Sequence, residues 1–134
     1  MKPYSDAPIA ASRLWGGRIL SGLAVAFLLF DGVIKLMQID PVTESFTRLG
    51  YPHSVALAIG TIELTCLALY LIPRTAVLGA ILLTGFLGGA VAAHVRVADP
   101  LFSHVLFPIY VGLLLWGGLF LRTLTVRALI PVRE

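Results

Sequence analysis

Six side chains with chemistry to offer lie inside or at the edges of apolar runs: Asp31, Lys35, Glu63, His94, Arg96 and His104. Carboxyl groups exchange protons, ammonium and guanidinium groups hold anions, and imidazoles transfer protons or bind metals. In hydrocarbon each is costly. An ionised group at a bilayer centre costs about 2.5 to 3.5 kcal/mol on insertion scales, so such residues face a protein interior and find partners there. Asp31 and Lys35 are spaced i,i+4 and can neutralise each other on one helix. Glu63 has no basic residue within one helical turn, so its charge must be met from another helix or by protonation. It is the sharper signal of the two.

The elements that must carry these residues are membrane helices. The 134 residues are 58% hydrophobic and 13% charged, with a mean hydropathy of +0.94, too little polar surface for a water-soluble domain. Four apolar stretches, about Leu14 to Met37, Val55 to Ile72, Ala76 to Val95 and Leu101 to Leu121, can each span the hydrocarbon core as a helix. The expectation is one all-α domain over residues 1–134, an integral membrane four-helix bundle. The opening Met1 to Ser12 has no periodicity and reads as an irregular tail. The apolar run after Arg18 passes into Asp31 and Lys35 without a small-residue cleavage site, so the first helix reads as a retained span rather than a signal peptide. Asp40-Pro41 and Gly50-Tyr51-Pro52 punctuate a first connection long enough for a short interfacial helix around Val42 to Leu49.

A helical residue advances about 100°, which sorts the polar groups by face. Asp31 and Lys35 share a stripe with Gly17 and Ala24 that reads as inward-facing. On the third helix Gly85, Gly88, Gly89 and Ala92 form a small-residue face suited to close approach, within the bundle or between copies of the chain. Arg96 falls about 20° from Gly85 on that face, and His94 falls opposite. Arg96 is thus the expected partner of a buried carboxylate, and His94 is expected to look toward headgroups or another chain. Asp31, Lys35, Glu63 and Arg96 together make a neutral cluster in the outer half of the bundle. Gly60 and Cys66 flank Glu63 at i−3 and i+3, where another backbone can come close. The single cysteine, Cys66, excludes an internal disulfide, a CxxC pair and a thiolate cage. Paired ligation by His94 and His104 is outweighed by the commoner interfacial role of such histidines, and no metal site is expected. The formal charge of +3 arises from residues flanking apolar runs, which are topology signals rather than a nucleic-acid surface.

Several segments together resemble the DoxX-like family of small four-helix bacterial membrane proteins. They are Phe30-Asp31-Gly32-Val33-Ile34-Lys35-Leu36, Leu49-Gly50-Tyr51-Pro52, Gly60-Thr61-Ile62-Glu63-Leu64, Ile72 to Ala80 continuing to Gly88 to Arg96, and Trp116 to Arg122. The resemblance covers about Leu14 to Pro131. It implies association with thiosulfate and quinone oxidation or with oxidative-stress complexes of the membrane. On that implication the chain is the membrane subunit of a redox system. A quinone enters from the bilayer, Glu63 and Asp31 exchange protons, and Lys35, Arg96 and His104 meet substrate charge. A partner protein supplies the electrons. The alternative is a non-catalytic scaffold, binding module or small transporter whose charges serve assembly or passage. Membrane lipid is a partner in either case, as is a second copy through Gly85, Gly88 and Gly89.

Counting basic residues orients the chain. With the N-terminus inside, Lys2, Arg13, Arg18, Arg74, Arg122, Arg127 and Arg133 face the cytoplasm, against Lys35, Arg48 and Arg96 outside. In a bacterial cell this places a multi-pass protein in the cytoplasmic (inner) membrane with both ends in the cytoplasm. Alkaline phosphatase fused after Glu44 is expected to be active and the same enzyme fused at the C-terminus inactive; the reverse pattern overturns the orientation.

Overall fold

The computed structural model describes residues 7–130; Lys2 and Arg133 of the basic count, and the first half of the expected tail, lie outside them. Its helices are α1 (Ala11–Met37), α2 (Asp40–Leu49), α3 (His53–Leu71), α4 (Ala76–Arg96), α5 (Phe107–Arg122) and α6 (Leu124–Leu129), with a π-helical turn over Leu101–Val105 leading into α5. Among the described residues four spans are long and apolar enough to cross a membrane: α1, α3, α4, and α5 together with its π turn. The chain is an all-α membrane bundle. Helix α1 packs on α3 and α5, and α4 closes the ring by packing on both of those.

The ends follow from local chemistry. Gln38 takes a left-handed conformation at φ 50° after α1, and Asp40-Pro41 opens α2 with proline in its first turn, where its missing N–H is not needed. Val42, Phe46 and Leu49 are the buried stripe of α2. Their i, i+4, i+7 spacing makes this an amphipathic helix lying on the bundle. Gly50 stops it at φ +80°, and its N–H returns to Phe46 and Thr47. Two boundaries differ from expectation. Helix α1 begins at Ala11, because no proline or other breaker follows Pro8. The fourth span is interrupted: Leu106 N–H bonds Leu101 O at 2.9 Å, the wide i→i+5 turn that precedes Pro108 in the first turn of α5. A further element, α6, folds back so that Arg127 donates to Phe120 O (2.7 Å) and Leu121 O (2.5 Å), closing carbonyls that the end of α5 leaves unpaired.

The core between the spans is built from Leu28, Leu67, Leu83, Leu115 and Leu119 around Tyr70. The small-residue face of α4 is not part of it. Ala76, Gly79, Ala80, Leu83, Leu87 and Ala93 are the buried positions of α4, whereas Gly85, Gly88 and Gly89 are exposed and a Cβ added to any of them meets nothing within 4 Å. Leucine side chains fill the space behind α4, so its glycines stay at the surface. Close backbone approach occurs instead between α1 and α5, where a Cβ on Gly118 would stand 2.9 Å from both Gly17 O and Ser21 N.

Gly118→Ala is therefore expected to destabilise by about 1 to 3 kcal/mol through overpacking. Gly88→Ala is expected to be neutral or to stabilise by up to about 1 kcal/mol through helix propensity. Thermal unfolding of the two variants in the same detergent checks this contrast.

Candidate functional site

Helices α1 and α3 meet where each carries a glycine. A Cβ on Gly60 would lie 2.9 Å from Lys35 Cβ and 3.0 Å from Gly32 O, and one on Gly32 would lie 2.6 Å from Leu64 Cδ2. This approach sets Lys35 beside Glu63. The ammonium donates to Glu63 Oε2 at 2.8 Å and also to Asp31 Oδ2. Side-chain exposure grades from 0% at Glu63 through 13% at Lys35 to 29% at Asp31, so the cluster runs from the dry interior toward an open face. Lys35 Nζ also lies 5.3 Å from the ring centroid of Phe86 on α4, a cation–π contact that holds the charge in place. Glu63 Oε1 is buried without a hydrogen-bond partner among the described residues. Two carboxylates and one ammonium sum to −1 when all are ionised, and one added proton neutralises them.

Asp31 and Lys35 line a cavity of about 440 Å³ at the end of the bundle covered by α2. Its walls are chiefly apolar: Phe27, Phe86 and Phe107 contribute rings, Phe27 and Phe107 meeting edge to face at 4.8 Å. Along α4 the wall is low, because Gly85 and Gly89 line it without side chains and are exposed. A chiefly apolar enclosure with a few converging polar groups is the usual form of a small-molecule site, and this volume lies within the usual range.

The two remaining groups of α4 exchange the places expected of them. Arg96 does not reach the carboxylates. Its guanidinium donates to Leu49 O at the end of α2 and lies 5.8 Å from the Tyr51 ring centroid. His94 lines the cavity instead. The physical reason is the turn after α4: Ala98 adopts φ 56° and brings Asp99 back, so that Asp99 Oδ2 lies 2.5 Å from His94 Nδ1. An ionised carboxylate only accepts, so Nδ1 carries the proton in this pair. The other oxygen of Asp99 accepts from Arg48 on α2. The end of α2 is thus tied to the end of α4 twice, by Arg48 to Asp99 and by Arg96 to Leu49. The expected neutral cluster of four becomes a triad of Asp31, Lys35 and Glu63. His104 lies exposed on the π turn, its Nδ1 2.8 Å from Ser103 Oγ and its ring 5.7 Å from that of His94. No group of three or more His, Cys, Asp or Glu suited to a metal occurs among the described residues.

A family model described as the DoxX-like family matches residues 19–118, which contain the whole triad and every wall of the cavity. The chain belongs to the DoxX-like family. No curated protein matches it, and no solved structure does. Within this DoxX-like chain, sequence reasoning passed over the aromatic walls and Asp99. Phe27 stands one turn before Asp31, a spacing that could have flagged it as a neighbour on the same face; Asp99 precedes Pro100, and an Asp-Pro pair signals a turn without signalling a partner.

Asp99 carries a testable pH dependence. The hydrogen bond from His94 holds its carboxyl below the ordinary 3.8, burial opposes this, and Arg48 adds to the lowering. A carboxyl with a depressed folded-state value contributes stability that is complete above about pH 4 and is lost as pH falls through the lower value. The difference in unfolding temperature between the natural chain and Asp99→Asn is expected to be largest near neutrality and to shrink below about pH 4. A difference that stays constant down to the acid limit argues against the tie.

Proposed function

We propose that this DoxX-like protein is the membrane subunit of a quinone-linked or oxidative-stress redox system of the bacterial inner membrane, with both chain ends in the cytoplasm. One observation carries the reading: a fully buried glutamate is joined through Lys35 to Asp31 at the wall of an aromatic, chiefly apolar cavity. A quinone is a flat apolar ring bearing two carbonyl oxygens. It suits rings such as Phe27, Phe86 and Phe107 on its faces and a donor such as Lys35 at a carbonyl. The low glycine wall of α4 gives it a path from the bilayer.

Reducing a quinone to a quinol adds two electrons and two protons, one proton to each oxygen. The electrons come from a partner redox protein. Asp31, the more exposed carboxyl, passes two protons in turn from the open face of the cavity to the two quinone oxygens, and Glu63 holds the second carboxylate in reserve, sharing a proton with it through Lys35. Lys35 keeps the pair at one net negative charge or none as protons come and go. In this reading Arg96 holds α2 in place instead of meeting substrate, and His94 presents its imidazole to the cavity. The exposed Gly85, Gly88 and Gly89 leave space on α4 for a helix of the partner or of a second copy.

Glu63→Gln keeps the shape and removes the titration. The variant is expected to insert and fold, while quinone reduction by the assembled system falls roughly 100-fold, within the range of a general acid–base group. Loss of thermal stability with activity retained points to a structural charge and supports the scaffold reading. Gly89→Leu puts a side chain on the cavity wall from a Cβ that meets nothing within 4 Å, so it is expected to leave the unfolding temperature unchanged while weakening retention of a short-chain quinone analogue.

A further inference from the structure

The other end of the bundle has a cleft of about 350 Å³ between α1 and α3, with Arg18, Ser21 and Gly22 on one side and Tyr70, Leu71 and Arg122 among its other walls. Its polar groups form a directed chain. Tyr70 O–H donates to Leu115 O at 2.8 Å, so its oxygen accepts from Ser21 O–H at 2.8 Å. Ser21 Oγ in turn accepts from Arg122 Nε at 3.3 Å. Tyr70 and Ser21 are buried, at 1% and 7% exposure, and the Arg122 guanidinium carbon lies over the Tyr70 ring, 5.5 Å from its centroid. One edge of the guanidinium is thereby fixed. Its two terminal amino groups make no hydrogen bond among the described residues.

Arg18, one turn before Ser21, lies 5.5 Å from the Trp15 ring centroid and is likewise without a carboxylate among the described residues. The cleft therefore presents two cations and no acid. Guanidiniums match the geometry of phosphate oxygens, each able to bind in a bidentate fork, and of the two here Arg122 is held by its bond to Ser21 while the exposed Arg18 is free to turn to a ligand. The remaining walls, including Leu14, Val25 and Leu71, are apolar, and the exposed Leu71 and Gly22 leave the cleft open sideways.

We propose that this cleft binds a net-negative phosphate group, held between Arg18 and Arg122, and that the Ser21–Tyr70–Leu115 chain exists to hold Arg122 ready for it. An anionic phospholipid headgroup, with an acyl chain along the apolar walls, and free inorganic phosphate share this chemistry. Basic pockets between membrane helices recognise such headgroups on the cytoplasmic side, the side on which the basic asymmetry places this end.

The test uses the purified full chain in detergent, with lipid retention read by native mass spectrometry. Phosphatidylglycerol is expected to be retained in preference to phosphatidylcholine. Arg18→Gln, at an exposed position, is expected to weaken that retention about fivefold, the effect of one interfacial cation. Arg122→Gln is expected to do at least as much, but it also removes the bond to Ser21. Arg13→Gln, at the same end and outside the cleft, is the control and should leave retention unchanged. Displacement of the lipid by millimolar inorganic phosphate assigns the site to a soluble phosphate; persistence of the lipid assigns it to the headgroup. Retention unaffected by Arg18→Gln, or weakened equally by Arg13→Gln, overturns the proposal, because diffuse surface charge then accounts for the binding.

Discussion

The bond from Lys35 to Glu63 is the contact around which the rest is arranged. A carboxylate shut away from water is tolerated only with a close counter-charge, and removing one member of a buried pair typically costs about 3 to 5 kcal/mol. No residue of α3 near Glu63 supplies that charge, so α1 must. A lysine side chain is long, but it reaches Glu63 because Gly60 leaves room for Lys35 Cβ and the Gly32 carbonyl, and Gly32 makes room for Leu64. Two positions that could have buried larger side chains are given up to one ion pair. Asp31 then lies where the ammonium can serve it as well. The packing of α1 on α3 and the charge distribution of the cavity have a common origin.

Much of this was legible because hydrocarbon is an unforgiving solvent. Four long apolar runs leave few alternatives to four spans, and Glu63 without a nearby base has to find one elsewhere. Gly60, three residues before it, correctly signalled a close neighbour. The amphipathic stripe of Val42, Phe46 and Leu49 likewise marked α2. Helix α4 was the hard case. It is apolar all round, so periodicity names no inward face. Small residues could mark either a tight interface or an unoccupied surface, and here leucines pack inward while the glycines stay outside. That rotation also misplaced Arg96 and His94, whose positions depend on a left-handed turn at Ala98 and on contacts with α2 that are distant in sequence.

The Ser21–Tyr70–Arg122 chain was illegible for a different reason. Each of its residues has an ordinary explanation alone: a small helix-packing serine, an interfacial tyrosine, a basic residue at the end of an apolar run. Only the ring of helices, with α1 between α3 and α5, brings residues 21, 70 and 122 into one line. The same geometry explains why the hydroxyls are strictly ordered. The Leu115 carbonyl can only accept, and that fixes every donor back to the arginine.

The two ends of the bundle are chemically opposite, and α1 carries both. Arg18 and Ser21 belong to its first turns, Asp31 and Lys35 to its last, with about 15 Å of helix between Ser21 and Asp31 at the usual rise per residue. The intervening core is dry: Ala24, Leu28, Leu67, Leu83, Leu115 and Leu119 are all essentially inaccessible. Among the described residues no polar side chain bridges Glu63 to the Tyr70 chain, so a proton on Glu63 has its exchange route through Lys35 and Asp31 to the cavity, on one face only. A carrier that moved protons or ions across the membrane needs its buried acid reachable from both faces in turn. In this conformation the acid is reachable from one. A subunit that exchanges protons with a ligand in the cavity, the role proposed above, needs no more than that, and in such a subunit a sealed leucine layer keeps proton exchange at the cavity from becoming a leak.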